Sequence, residues 1–367
     1  METKNIRLKS LDALRGFDML FIMGFASLVV TVCKLFPSFE WTEWLSGEMK
    51  HVAWNGLSHH DTIFPLFLFI AGISFPFSLS KQRSDGKSQR QIILKIIRRS
   101  LILVLLGFVY NGFLKFDFDN MRYASVLARI GLPWMLAALL FVYCKTNTRI
   151  VISAVILIGY WLLMWLIPSG NDPFSLENNL VGMIDRVLLP GVLLCGGIFD
   201  PEGIFSTLPA VVTAMMGMFT GQFIRLSEER FSGSKKTVYM LVAAAILLII
   251  GLIWNHWFPI NKQLWTSSFV CVLGSYSLFM FAVFYYIIDV KNKYRWSFFF
   301  RIIGLNSITI YLVQKIIGFQ RISDFFLAGI AGQFPEAIGQ VINQAGYVTV
   351  AWLFLYFLYK KNIFLKV

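Results

Sequence analysis

The feature that most constrains this chain is a recurrence of long apolar stretches, each near the ~17–25 residues that a bilayer-crossing helix needs. Ten are read, at 11–33, 61–80, 94–114, 123–143, 150–167, 204–224, 238–257, 264–288, 298–318 and 337–359. Composition agrees with that reading. Of 367 residues, 57% are hydrophobic and 14% charged, where soluble domains carry about a quarter charged residues. Mean hydropathy is +0.67. The expected fold is all-α: one polytopic transmembrane helical bundle of about ten (ten to eleven) spanning helices, a single domain over 1–367. Two segments fit re-entrant or interfacial pieces. The first, 179–195, is interrupted by Asp185, Arg186 and Pro190; the second, 325–331, is too short to span.

The net charge of +13 would suggest nucleic acid in a soluble protein. Here the basic residues cluster in short connections, which is a topology signal, and no nucleic-acid partner is expected. Lys4, Arg7 and Lys9 precede the first span. Lys81, Arg83, Lys87, Arg90, Lys95, Arg98 and Arg99 follow the second, and Lys360, Lys361 and Lys366 close the chain. The alternate connections carry Glu40, Glu43, Glu48, Asp172, Glu177, Asp200 and Glu202 instead. The positive-inside rule then places both termini in the cytoplasm with an even number of spans. On that reading His51 faces outward, and Arg98 and Arg99 face inward. The outer connections 34–60 and 168–203 are the long ones, and long loops are often functional. Cys33, Cys144, Cys195 and Cys271 lie in or beside apolar runs with no CxxC spacing, and are read as free thiols. The first span has no small-residue cleavage site and is expected to remain as an anchor.

Several polar groups sit at the mouths of these spans, where ionisable side chains are costly and mark function. Asp12, Arg15 and Asp18 open the first span; Asp12 and Arg15 share a helix face and can pair, or Arg15 can meet an anionic ligand. Asp18 lies about one turn deeper and is harder to explain as an interfacial pair. His51, Trp54, Asn55 and Asp61 form the second group; a histidine near a carboxylate can act as a general base, or simply be a solvated side chain. The neighbours His59 and His60 point apart on any regular element, so no metal site is expected. Arg129 lies about two turns into the fourth span and needs either a carboxylate or an anionic ligand. Gly182–Arg186 with Asp200 and Glu202, Lys262 with Trp265 and Thr266, and Asn306 complete the set; turns, helix caps and small-residue packing are the plain readings of these. Polar groups at both mouths fit a proton-coupled transporter or exporter of a small sugar or anionic solute. They equally fit an enzyme whose donor and acceptor enter from opposite sides.

The runs Ser10-Leu-Asp-Ala-Leu-Arg-Gly16, His51-Val-Ala-Trp-Asn-Gly-Leu57 with Asp61 and Phe64–Gly72, Val126–Gly131, Asp200-Pro-Glu-Gly203 and Lys262-Gln-Leu-Trp-Thr-Ser267, in that order, resemble the heparan-α-glucosaminide N-acetyltransferase family within the broader transmembrane acyltransferase superfamily. The resemblance implies acetyl-CoA bound from the cytoplasm and an acetyl group passed to a glucosamine-like amine on the far side. The family's loop histidine matches His51, as an acetylated intermediate or as a general base. On this reading Asp61 would orient His51, and Lys262 or Asn306 would stabilise the oxyanion. Arg15, Arg98 and Arg99 would meet the donor's phosphates. Arg129 is also placed with the donor-binding residues, where it would pair Asp61 or Glu202. Trp54, Asn55, Glu202 and Trp265 would shape the acceptor pocket. No metal is implied, and a homodimer is an expectation of the family alone. The lysosomal members carry an extra luminal domain, a leading span and an Asn ahead of the histidine; Glu40 and Glu43 stand in that region here. A chain arranged this way is expected in a bacterial inner membrane, facing a periplasm.

Overall fold

The computed structural model describes residues 8–168 and 172–365; Lys4, Arg7 and Lys366, used in the charge reading, lie outside them. In chain order the helices are α1 (Lys9–Cys33), α2 (Glu40–Glu48), α3 (His59–Ser84), α4 (Gln89–Tyr110), α5 (Val126–Tyr143), α6 (Thr146–Leu166) and α7 (Leu180–Leu188). They continue as α8 (Thr207–Ile224), α9 (Gly233–Trp254), α10 (Ser267–Val290), α11 (Phe298–Leu305), α12 (Ser307–Val313), α13 (Phe319–Ala331) and α14 (Glu336–Lys360). Among the described residues there is no strand longer than an isolated bridge.

Eight of these helices are long and apolar enough to cross a membrane: α1, α3, α5, α6, α8, α9, α10 and α14. Two of the ten expected spans are not among these eight. The stretch expected at 94–114 falls on α4, which carries Arg90, Lys95, Arg98 and Arg99. The stretch expected at 298–318 is split at Asn306, whose φ −127 and ψ 32 end α11 before α12 begins. The two ambiguous segments become the nine-residue α7 and part of the thirteen-residue α13.

Without a strong hydrophobic drive between helices in lipid, close approach comes from small residues. Gly217 and Gly221 of α8 stand four apart and lie on the backbone of α3; a Cβ at Gly217 would come 2.1 Å from Phe69 O, and one at Gly221 2.3 Å from Ile73 O. The same device joins α1 to α11, where a Cβ at Gly304 would come 1.9 Å from Asp12 O. The Gly217 and Gly221 contacts hold α8 close against α3, where Leu66, Leu68, Phe69, Ile70 and Ile73 are buried.

α3 sets the geometry of the site. Its first two turns carry His60 and Phe64 into one cavity, and its later turns carry Phe75, Ser78 and Gln82 into another. Eleven residues separate Phe64 from Phe75, so the two cavities are about 16 Å apart along the helix. The helix α5 repeats the relation, with Val126 at the first cavity and Trp134 at the second.

Candidate active site

Asp61 is placed by the start of α3. Ser58 is the N-cap, and Ser58-His-His-Asp61 closes a capping box in which Asp61 Oδ2 accepts from the Ser58 backbone N–H at 3.3 Å. The same oxygen accepts from Ser58 Oγ at 2.9 Å and Val52 N at 3.3 Å. The helix N-terminus favours a carboxylate there. Its other oxygen, Oδ1, is 2.7 Å from His51 Nδ1 and 3.2 Å from Lys262 Nζ. The carboxylate is buried, while half of the His51 side chain is exposed.

Lys262 arrives on the loop between α9 and α10. That loop is stitched to the His51 loop: Gly56 N donates to Ile260 O at 2.8 Å, and Asn261 Nδ2 donates to Asn55 Oδ1 at 3.1 Å. Thr266 caps α10 and accepts from Asn261 N at 3.1 Å. Burial pushes the Lys262 ammonium below the usual lysine range, and Asp61 opposes that shift. Lys262 Nζ also lies 3.0 Å from His51 Nδ1. With Asp61 ionised, a proton on Nδ1 is donated to Oδ1, and Nε2 keeps its lone pair.

His51, His60, Phe64, Glu202, Lys262 and Tyr311 line a cavity of about 200 Å³. Its wall includes a buried ion cluster. Arg122 donates through Nε and Nη2 to Asp200 at 2.7 and 2.6 Å, and also to Glu202. That bidentate pairing holds the Arg122 guanidinium firmly protonated even though burial opposes it. Burial raises the Glu202 carboxyl, and Arg122 counters it. At the other end of α3, Ser78, Gln82, Lys95, Arg98, Arg99 and Trp134 line a cavity of about 350 Å³. Arg99 lies over the Trp134 ring at 4.2 Å. Its buried Nε, like Gln82 Oε1, has no hydrogen-bond partner among the described residues. Arg15 reaches this side through Ser74 Oγ at 3.4 Å and lies 3.8 Å from Asp12.

A basic cavity and a His–Asp–Lys cavity thus occupy two ends of one helix. No family model matches the chain. The chain is similar to the heparan-alpha-glucosaminide N-acetyltransferase of Homo sapiens, 27% identical over 374 aligned positions. It is also similar to the enzyme of the same name from Mus musculus, 26% identical over 373 positions. Each match covers 87% of this chain and 56% of the relative. These likenesses support membership of the heparan-alpha-glucosaminide N-acetyltransferase family. The chain spans little more than half the length of those relatives.

Within that family reading, the structure gathers His51, Asp61, Lys262 and Glu202 at one cavity and Arg98 and Arg99 at the other. Trp54 and Asn55 lie beside the first: Trp54 Nε1 donates to Phe174 O at 2.9 Å and its ring meets Phe199, while Asn55 is exposed. Three expected residues line neither cavity and bond elsewhere. Arg129 is buried and pairs neither Asp61 nor Glu202; it donates to Gly203 O, Pro201 O, Ser206 Oγ and Thr207 Oγ1 at 2.7–3.1 Å, which fastens the 200–207 turn. Trp265 faces the interior at φ +52, donates to Thr213 and packs on Phe64 and Phe269, so it is core and lines neither cavity. Asn306 donates to Ile363 O at 3.0 Å and accepts from Leu365 N at 3.3 Å, which ties the helix break to the C-terminal segment, away from His51.

Sequence reasoning passed over Arg122, Asp200 as its partner, His60 and Tyr311. Arg122 stood just ahead of a span, where any Arg reads as interfacial; its partners are 78 and 80 residues away. Tyr311 looks like any aromatic in an apolar run. Its ring stacks on Tyr110 at 4.7 Å. His60 packs its ring against His51 at 4.5 Å, and His59 turns the other way onto Phe21.

Proposed function

We propose that this chain is a membrane N-acetyltransferase that takes an acetyl group from acetyl-CoA at the Arg99 end and delivers it to an amino sugar at the His51 end. The observation that carries this is the pairing of His51 with a buried, ionised partner in a cavity, opposite a second cavity rich in Arg and Lys. The donor set of the second cavity fits an acyl-CoA. Arg98, Arg99 and Lys95 would meet its phosphates and Gln82 its polar groups, with Arg15 at the edge. Acetyl-CoA supplies an activated thioester.

At the other end His51 works through Nε2. An amine that arrives as ammonium has no lone pair to attack with, so a base must take its proton. Asp61 holds Nδ1–H, leaves Nε2 free to accept that proton, and stabilises the imidazolium that results. The amine nitrogen then bonds to the acetyl carbon, the carbon–sulfur bond breaks, and the thiol leaves with a proton. Attack by Nε2 itself, to give an acetyl-histidine that the amine then resolves, starts from the same tautomer. Lys262 Nζ stands beside the ring and supplies N–H donors toward the developing oxyanion. Glu202 and Tyr311 offer an acceptor and a hydroxyl toward the sugar. In this reading the Arg99 end faces the cytoplasm of a bacterial inner membrane and the His51 end faces the periplasm.

The test is direct. Purified wild-type protein with acetyl-CoA and glucosamine should release free thiol and form N-acetylglucosamine in equal amounts. His51→Gln should form neither while still binding acetyl-CoA. Uptake of unmodified glucosamine into proteoliposomes, with no thiol released, would overturn the reading in favour of a transporter.

A further inference from the structure

Asp18 is among the named lining residues of neither cavity. It sits on α1, three residues after Arg15 and four before Ile22, and these positions share one stripe of a helix. At one end of the stripe, Arg15 donates to Ser74 Oγ, one residue before Phe75 of the basic cavity. At the other end, Ile22 lines the His51 cavity. Asp18 lies between them, 2% exposed. Its Oδ2 has no hydrogen-bond partner among the described residues, and no ion pair there includes it.

A carboxyl buried without a partner is costly. At membrane depth such a group marks the path of a ligand or ion. A plain structural role would leave a cap, an ion pair or a bonded carbonyl, and Asp18 is mid-helix with none of these at Oδ2.

We infer that Asp18 is a hydrogen-bond acceptor for the arm of the acyl donor that crosses between the two cavities. That arm, the pantetheine of acetyl-CoA, is a narrow chain whose amide N–H groups and hydroxyl are donors, and a carboxyl oxygen on the Arg15–Ile22 stripe meets them. The inference rests on acetyl-CoA being the donor. It makes Asp18 a binding residue for the arm, separate from the residues that grip the phosphates.

The experiment compares two ligands on purified full-length protein: CoA, and adenosine 3′,5′-bisphosphate, which has the phosphates and no arm. Asp18→Leu should weaken CoA roughly tenfold to a hundredfold and leave the bisphosphate unchanged. Asp18→Asn keeps an acceptor oxygen and should lose less. Unliganded Asp18→Leu should melt no lower than wild type, because it removes an orphaned polar group. Unchanged CoA affinity in Asp18→Leu overturns the inference. So does a lowered melting temperature with both ligands lost together, the mark of a structural role. Failure of both ligands to bind wild type overturns the donor reading first, and this inference with it.

Discussion

His51 and Asp61, ten residues apart in the chain, meet through Nδ1 and Oδ1 at 2.7 Å, and the same carboxylate closes the capping box of α3. One side chain therefore fixes both where the helix starts and which ring nitrogen of His51 is free. His51→Gln should cut acetyl transfer by about 10²–10⁴-fold, the usual share of a positioned base. It should barely change the melting temperature, because His51 is half exposed. Asp61→Asn should lose a comparable share of the rate and also stability, by ~1–3 kcal/mol, as bonds to a buried charge are weakened. Steady-state rates beside thermal melts of the two variants separate these outcomes.

The Arg122 cluster holds the wall of the His51 cavity. Arg122→Met leaves Asp200 and Glu202 buried without their cation and should cost about 3–5 kcal/mol. Adding Asp200→Asn and Glu202→Gln should restore much of that loss, since the cost lies in the uncompensated charges. Melting of the single and triple variants in one detergent checks it. A triple variant no more stable than the single one would contradict the assignment.

Asp185 gives a pH dependence with a definite sign. It is buried under the 200–204 turn, where Oδ1 accepts from Ile204 N at 3.0 Å and Oδ2 has no partner among the described residues. Burial pushes its carboxyl up to about 6, with the Asp200 charge adding to the rise and Arg129 opposing it. The folded protein then holds a proton that the unfolded chain releases near pH 4. Its contribution is most favourable below pH 4 and is lost as pH rises through about 6. Asp185→Asn should flatten the melting curve's dependence on pH between 4 and 7. It should also stabilise the protein at pH 7.5, by roughly 1–3 kcal/mol. Melting both proteins across that range tests the sign.

The contact of α1 with α11 has no room for a methyl group. Gly304→Ala would place a Cβ 1.9 Å from Asp12 O, so the helices must part. A loss of about 1–3 kcal/mol is expected. Ala at Gly159, where a Cβ meets nothing within 4 Å, is the matched control and should be neutral or slightly stabilising. Equal melting temperatures for the two variants would show the contact to be looser than described.

How much of this was legible in the sequence follows from what each residue's role depends on. Span positions depend on local hydropathy, and eight of the ten expected stretches fall on helices long and apolar enough to cross. The His51–Asp61 pair was legible because both residues sit in one short polar run before one helix. The partners of Arg129, Trp265 and Asn306 were not legible, because they lie far along the chain: the 201–207 turn, Thr213 and the 363–365 segment. Hydropathy could not show that α11 stops at Asn306, since both halves are equally apolar. Arg122 was missed for the opposite reason, since a basic residue at a span mouth already has an ordinary explanation.

The central claim is that acetyl enters at the Arg99 end and leaves on an amine at the His51 end. Sealed proteoliposomes of uniform protein orientation test it, with isotope-labelled acetyl-CoA outside and glucosamine inside. With the Arg99 end outward, labelled N-acetylglucosamine should accumulate in the lumen, with labelled acetyl-CoA remaining outside, and His51→Gln should abolish it. Product that forms only when both substrates share one side, or label that never reaches the amine, would contradict the account.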